Sequence, residues 1–124
     1  MMTTEEKKAY LLFKSVIFHY HGLDEDEQEM LEETATNIDG EQELKWAQDL
    51  ISENYYDAFE RAREYLGEVM MTFEPQVRLS HLAMVWDANQ KKGYVSELEA
   101  AAMLILAKDW EVEIDFVASI KKRS

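Results

Sequence analysis

Two stretches of the chain carry the same helix-starting text. Leu23-Asp24-Glu25-Asp26-Glu27 and Val95-Ser96-Glu97-Leu98-Glu99 each place an apolar residue, a capping residue and, three positions after the cap, a glutamate. Each follows closely on a glycine, Gly22 or Gly93. In such a capping box the cap oxygen accepts an orphan backbone N–H of the first turn, and the glutamate reaches back to the cap's own N–H. Both stretches are therefore expected to start helices. Because an apolar helical run precedes each, the chain reads as two copies of helix, glycine turn and capped helix around a middle segment.

The apolar periodicity extends this reading. Ala9, Leu12, Phe13, Val16, Ile17 and Tyr20 fall on one face of a first helix. Asp24 caps a second, with a narrow stripe of Leu31, Ala35 and Ile38, and Asn37-Ile38-Asp39-Gly40 breaks it. Ala47, Leu50 and Ile51 mark a short third helix ending near residues 52–54. A longer fourth carries Tyr55, Ala58, Phe59, Ala62, Leu66, Val69 and Phe73. Pro75 suits the first turn of a fifth, where its missing N–H is not needed, and Leu79, Leu82, Ala83 and Trp86 form the buried face. Residues 87–95 are expected to connect to a sixth helix with Leu98, Ala101, Ala102, Ile105 and Leu106 inside. Phe116, Val117 and Ile120 serve a last helix over Asp115 to Lys122. No alternating strand pattern and no Gly/Ser/Pro linker occurs. The expectation is an all-α, single-domain bundle (residues 1–124) of about seven helices with an internal two-fold helix-turn-helix repeat.

Composition narrows the function. With 47% hydrophobic residues the chain has enough apolar surface to fold, and it contains no cysteine for disulfides, thiolate metal sites or a cysteine nucleophile. The first residues show no apolar run followed by a cleavage site, and no segment is apolar enough to span a membrane, so a cytoplasmic location is expected. The 26 acidic residues outnumber the 13 basic ones, for a formal net charge of -13. That balance disfavours nucleic-acid phosphate and anionic lipid, which need clustered Lys and Arg, and suits cations or basic proteins. Residues 24–43 hold much of the excess and contain no Lys or Arg. Within them Asp24, Glu25, Asp26, Glu29, Glu32 and Glu33 are candidate partner-binding residues, against the plainer reading of a solvated face with acids near a helix N-terminus.

Catalytic signals are thin. The tyrosines and tryptophans mostly sit at helical apolar spacing and are expected in cores. His19 and His21 are two residues apart and cannot share a metal from one helix face, and His81 stands on the polar side of its helix; surface or capping roles are expected for all three. No GxSxG, phosphate loop, GxGxxG or HExxH occurs, so no enzyme is expected.

Residues 86–99 resemble a degenerate EF-hand loop, ordering Asp, Asn, Gly, an apolar residue, Ser and Glu between two helices. With Gly93 at the sixth position, Val95, Ser96 and Glu99 fit, but Ala88, Gln90 and Lys92 occupy ligand positions. With Asp87 first, Asn89 fits and the twelfth position is Leu98. Either register loses needed oxygens.

The recurring glycine, apolar residue, cap and glutamate after an apolar helix, in both halves of an acidic helical chain, resembles the tellurite-resistance TerB-like family. The second copy, about Leu79 to Trp110, matches through Gly93, Val95, Ser96 and Glu99. The first, about Leu11 to Ile38, matches through Gly22, Leu23, Asp24 and Glu27, with one residue fewer between glycine and cap. The resemblance covers most of the chain. It implies a helical bundle of two related halves, a role in stress or metal resistance, protein partners at the inner side of the membrane, and acidic clusters that bind divalent cations. The sequence departs from the family text where His21 and Lys92 replace the aspartate before each glycine. Asp24, Glu27, Asp87 and Glu99 are left as candidate metal ligands, with at most weak divalent-cation binding and no other cofactor expected. The leading expectation is a non-enzymatic TerB-like binding protein. An acidic module that docks a basic partner or mimics nucleic-acid charge is the alternative, and a metal-assisted hydrolase comes third.

Overall fold

The computed structural model describes residues 2–19, 23–91 and 93–123, and among them every regular element is helical. The helices are α1 (Thr4–Phe18), α2 (Glu25–Asn37), α3 (Glu41–Glu53), α4 (Ala58–Met70), α5 (Pro75–Lys91), α6 (Glu97–Asp109) and α7 (Glu113–Arg123). The all-α expectation of about seven helices holds. The chain divides into two compact units, Met1–Val69 and Met70–Ser124. In the first, α1, α2 and α3 touch one another; in the second, α5, α6 and α7 do.

Helices start where capping chemistry puts them. Thr3 Oγ1 accepts the Glu6 N–H at 3.1 Å and caps α1. At α2 the Glu27 N–H donates to Asp24 Oδ1 (2.7 Å) and the Asp24 N–H to Glu27 Oε1 (3.3 Å), a complete capping box. At α6 the Glu99 N–H donates to Ser96 Oγ (3.2 Å) and the Ser96 N–H to Glu99 Oε1 (3.0 Å). Asp24→Ala and Ser96→Ala should each lower stability by about 1 kcal/mol, because each leaves first-turn donors without their acceptor. Urea melts of the two variants measure this, and a wild-type midpoint for both would refute it.

The same two helices also end alike. After α2 the Gly40 N–H donates to Ala35 O (2.7 Å) and the Asp39 N–H to Thr36 O (3.2 Å); after α6 the Val112 N–H donates to Ala107 O (2.9 Å) and the Glu111 N–H to Lys108 O (3.1 Å). Both are Schellman closures, with Asp39 (φ 55°) and Glu111 (φ 60°) in the left-handed position usually given to glycine.

Burial departs from the expected faces in several places. From Ala9 to Phe18 every residue of α1 is buried, Lys14 and Ser15 included, because α2 and α3 both pack on this helix. The Lys14 ammonium donates to Thr34 Oγ1 on α2 at 2.7 Å and lies 5.8 Å from the Tyr10 ring centroid and 5.7 Å from that of Phe18. In α6 the expected inner positions Leu98, Ala101 and Ile105 are exposed, and the helix buries Glu99, Ala102, Met103, Leu106 and Ala107 instead. Its apolar residues surround the axis, so periodicity does not choose a side.

Tyr55 is outside α4 and 64% exposed. Asn54 Oδ1 accepts the Tyr56 N–H (3.0 Å) in a turn, and Arg61 holds that turn by donating to Asn54 O (2.7 Å), Leu50 O (2.6 Å) and Asp57 Oδ1 (2.7 Å). Phe73 likewise lies beyond the end of α4.

The expected connection over residues 87–95 is shorter. α5 continues through Lys91, since nothing from Asp87 to Lys91 breaks a helix, and the stop comes at Gly93, whose φ of 136° suits glycine. The EF-hand-like oxygens of Asp87 and Asn89 therefore sit on a helix rather than in a loop. Asn89 is fully buried, its Nδ2 donating to Val85 O at 3.0 Å.

Candidate functional site

The acidic run of residues 24–43 folds into α2 and the start of α3. The two glutamates of the capping boxes turn inward: Glu27 is 8% exposed and Glu99 4%. Each carboxylate accepts the backbone N–H of its own cap residue. Of the candidate metal ligands, Asp24 and Glu27 are thus brought together by capping, each bonded to the other's backbone, and Glu99 is bonded to Ser96. Asp87 lies part-buried on α5. No group of three or more His, Asp or Glu is placed to hold a metal ion among the described residues.

The candidate partner-binding residues share a different environment. Asp24, Glu25, Asp26, Glu29, Glu32 and Glu33 are all exposed, and none of them makes an ion pair among the described residues. Periodicity explains the sorting. Glu27, Leu31 and Ala35, spaced four apart, are the buried stripe of α2, so the acids off that stripe fall on its solvent side.

Beside this face α2 and α3 enclose a groove of about 390 Å³. Ala35 and Leu44, both buried, form its floor, and Glu32, Thr36, Glu41, Lys45 and Asp49 stand at the rim. Gln48 Nε2 donates to Gln28 Oε1 at 2.7 Å, and Gln28 Nε2 donates to Glu32 Oε2 at 3.3 Å, which ties the two helices and orients Glu32. Lys45, the one cation among the described residues at this rim, donates to Asp49 Oδ2 at 3.2 Å on an exposed helix surface. Reading along the sequence singled out Glu32 but missed the glutamine pair and Asp49, which reach the groove only through the α2–α3 packing.

The histidines occupy unlike places. His19 follows α1 as its C-cap residue through its backbone N–H, and burial pushes its imidazole below the ordinary histidine pKa while the charge of Glu27 acts the other way. His81 does not lie on a polar side. It is 1% exposed in α5, with its ring 6.5 Å from that of Phe73, because the apolar face of α5 is centred on Leu82, Val85 and Trp86. The expectations placed on Tyr20, His21, Gly22 and Lys92, including the glycine turn of the first copy and both lost aspartates, fall outside the described residues.

No protein-family model, no curated protein and no solved structure matches this chain. No helix of the described residues is long and apolar enough to cross a membrane.

Proposed function

We propose that this chain acts by binding rather than by catalysis, as a cytoplasmic, TerB-like helical protein of a stress or tellurite and metal resistance system whose partner is a basic protein. In this reading the trios α1–α2–α3 and α5–α6–α7 are the two related halves, and divalent cations bind weakly at most. The observation that carries the binding role is the outer face of α2: exposed carboxylates that no Lys or Arg of the described residues neutralises. A set of unpaired like charges repels itself and is relieved by a cationic partner. The matching capping boxes and helix closures of α2 and α6 support the family reading.

Fluorescence anisotropy with a labelled nonaarginine peptide tests the charge reading. Affinity should fall steeply as potassium chloride rises, and changing Glu25, Asp26, Glu29, Glu32 and Glu33 together to their amides should weaken it by more than about ten-fold. Equal affinity for that variant would remove the α2 face from the function. Calorimetric titration with calcium should give no saturable one-to-one isotherm, since a tight site needs about six converging oxygens and Glu27 and Glu99 are committed to backbone donors. A tight, salt-insensitive isotherm abolished by Glu99→Gln would replace the basic partner with a specific cation.

A further inference from the structure

α6 is apolar around most of its circumference, and a helix of that kind belongs in an interior. Only one side of it is covered. Glu97, Leu98, Ala101, Ile105 and Lys108 are exposed, Leu98 at 56% and Ile105 at 39%. The exposed side has an order of its own, with a glutamate in the first turn, apolar residues along the middle and a lysine in the last turn. Glu97 and Lys108 stand about three helical turns apart and so share a stripe. Neither makes an ion pair among the described residues. We infer that this face docks on the same face of a second copy, the two α6 helices running antiparallel about a two-fold axis near Ala101. The inference is separate from the α2 face and holds whether or not α2 takes a basic partner.

An isologous interface must be complementary to itself on reversal, and this face is. In the antiparallel pair Glu97 of each copy meets Lys108 of the other, so both ends gain an opposite charge. Leu98 of each copy lies against Ile105 of the other, and the small Ala101 at the centre lets the helix axes approach closely. The two flanking charges cancel, so the face is neutral although the chain carries a formal charge of -13. A basic partner would meet Lys108 here and an acidic one Glu97, whereas a wholly apolar one would leave both charges unanswered. The capping box of Ser96 and Glu99 and the Schellman closure after α6 fix both ends of the helix, so little is left to order on docking. A helix of 13 residues, about 20 Å long, offers less than the roughly 800 Å² per partner of a standard interface, so the pair is weak, with a Kd in the micromolar range.

Sedimentation equilibrium of the full chain should show a monomer–dimer equilibrium that tightens as potassium chloride rises, because salt screens the repulsion of two acidic copies. Docking of a basic partner on α2 weakens under the same change, so the two responses have opposite signs. Glu97→Lys and Lys108→Glu should each weaken self-association by about ten-fold, the first even though it lowers the net negative charge. Mixed in equal amounts, the two variants should recover wild-type association to within about two-fold to three-fold, since one then presents two ammonium groups and the other two carboxylates. Ala101→Glu places two carboxylates at the axis and should weaken association by more than about ten-fold. Because the position is exposed, its circular dichroism and urea midpoint should stay those of the wild type. A monomer at every concentration and salt would overturn the proposal, as would a dimer indifferent to Ala101→Glu or a mixture no tighter than its components. A monomer that Ala101→Glu unfolds would mean that the face is covered within one copy, and would overturn it equally.

Discussion

Arg78→Met should destabilise the protein by about 3–5 kcal/mol, the largest loss expected from any single charged residue here. Arg78 is only 9% exposed, and its guanidinium serves three backbone carbonyls of the second unit: Nε donates to Met70 O (2.9 Å) and Phe73 O (3.0 Å), and Nη1 to Trp110 O (3.1 Å). These carbonyls belong to the last turn of α4, to the turn before α5 and to the C-cap of α6. One side chain thus ends two helices that lie far apart in sequence. Methionine keeps most of the apolar stem, so the loss isolates the hydrogen bonds. The Met70 carbonyl retains the Phe73 N–H at 3.0 Å, whereas the carbonyls of Phe73 and Trp110 lose a charged donor, each such bond being worth about 1.5–3 kcal/mol. Arg78→Lys should fall between wild type and Arg78→Met, because an ammonium supplies the charge without the fork that spans separated acceptors. Urea unfolding followed by circular dichroism reads the difference, and a loss below about 1 kcal/mol for Arg78→Met would show that water replaces the guanidinium at little cost.

Arg78 also shows why some of this fold is legible in the sequence and some is not. Local chemistry was readable: Asp24 with Glu27 and Ser96 with Glu99 specify helix starts within a few residues, Pro75 opens α5, and Asn37 to Gly40 separates α2 from α3. Those signals need no information from elsewhere in the chain. The role of Arg78 requires the end of α6 to lie beside it, and nothing in its own neighbourhood announces that. His81 fails for the same reason, since a histidine between Ser80 and Leu82 looks solvated until the packing of α5 is known. Leu98 and Ile105 fail differently. α6 carries apolar residues around most of its circumference, so period alone leaves the inner side undetermined. In α1, Lys14 and Ser15 interrupt an otherwise apolar run, and one-face reasoning leaves them outside. Enclosure by two helices puts them inside, with Thr34 bonded to the ammonium. The candidate site divides along the same line. The acids on α2 are consecutive enough to be seen in the sequence. The groove needs Gln48 and Asp49 from α3, which only the α2–α3 packing brings beside Glu32.

Gly40 and Gly67 should respond to larger side chains with opposite signs. Gly40 looks like a turn glycine, but its φ of -124° is open to any residue, so its constraint is not conformational. A Cβ there would stand 3.0 Å from Leu11 Cδ1 and 3.3 Å from Ile38 Cγ1. Leu11 is fully buried in the centre of α1 and has little room to yield. Valine would press two further methyls into this contact beneath the Schellman closure, where the Gly40 N–H donates to Ala35 O, and should cost about 1–3 kcal/mol through overpacking. Gly67 is the counterexample. It lies inside α4 with no neighbouring heavy atom within 4 Å of the added Cβ, so Gly67→Ala should add about 0.5–1 kcal/mol by reducing unfolded-state entropy and improving helix propensity. Paired urea melts decide the matter, with midpoints expected to move apart from wild type. If Gly40→Val melts at or above the wild-type midpoint, α1 can slide away from the α2–α3 junction, and that junction is looser than its geometry implies.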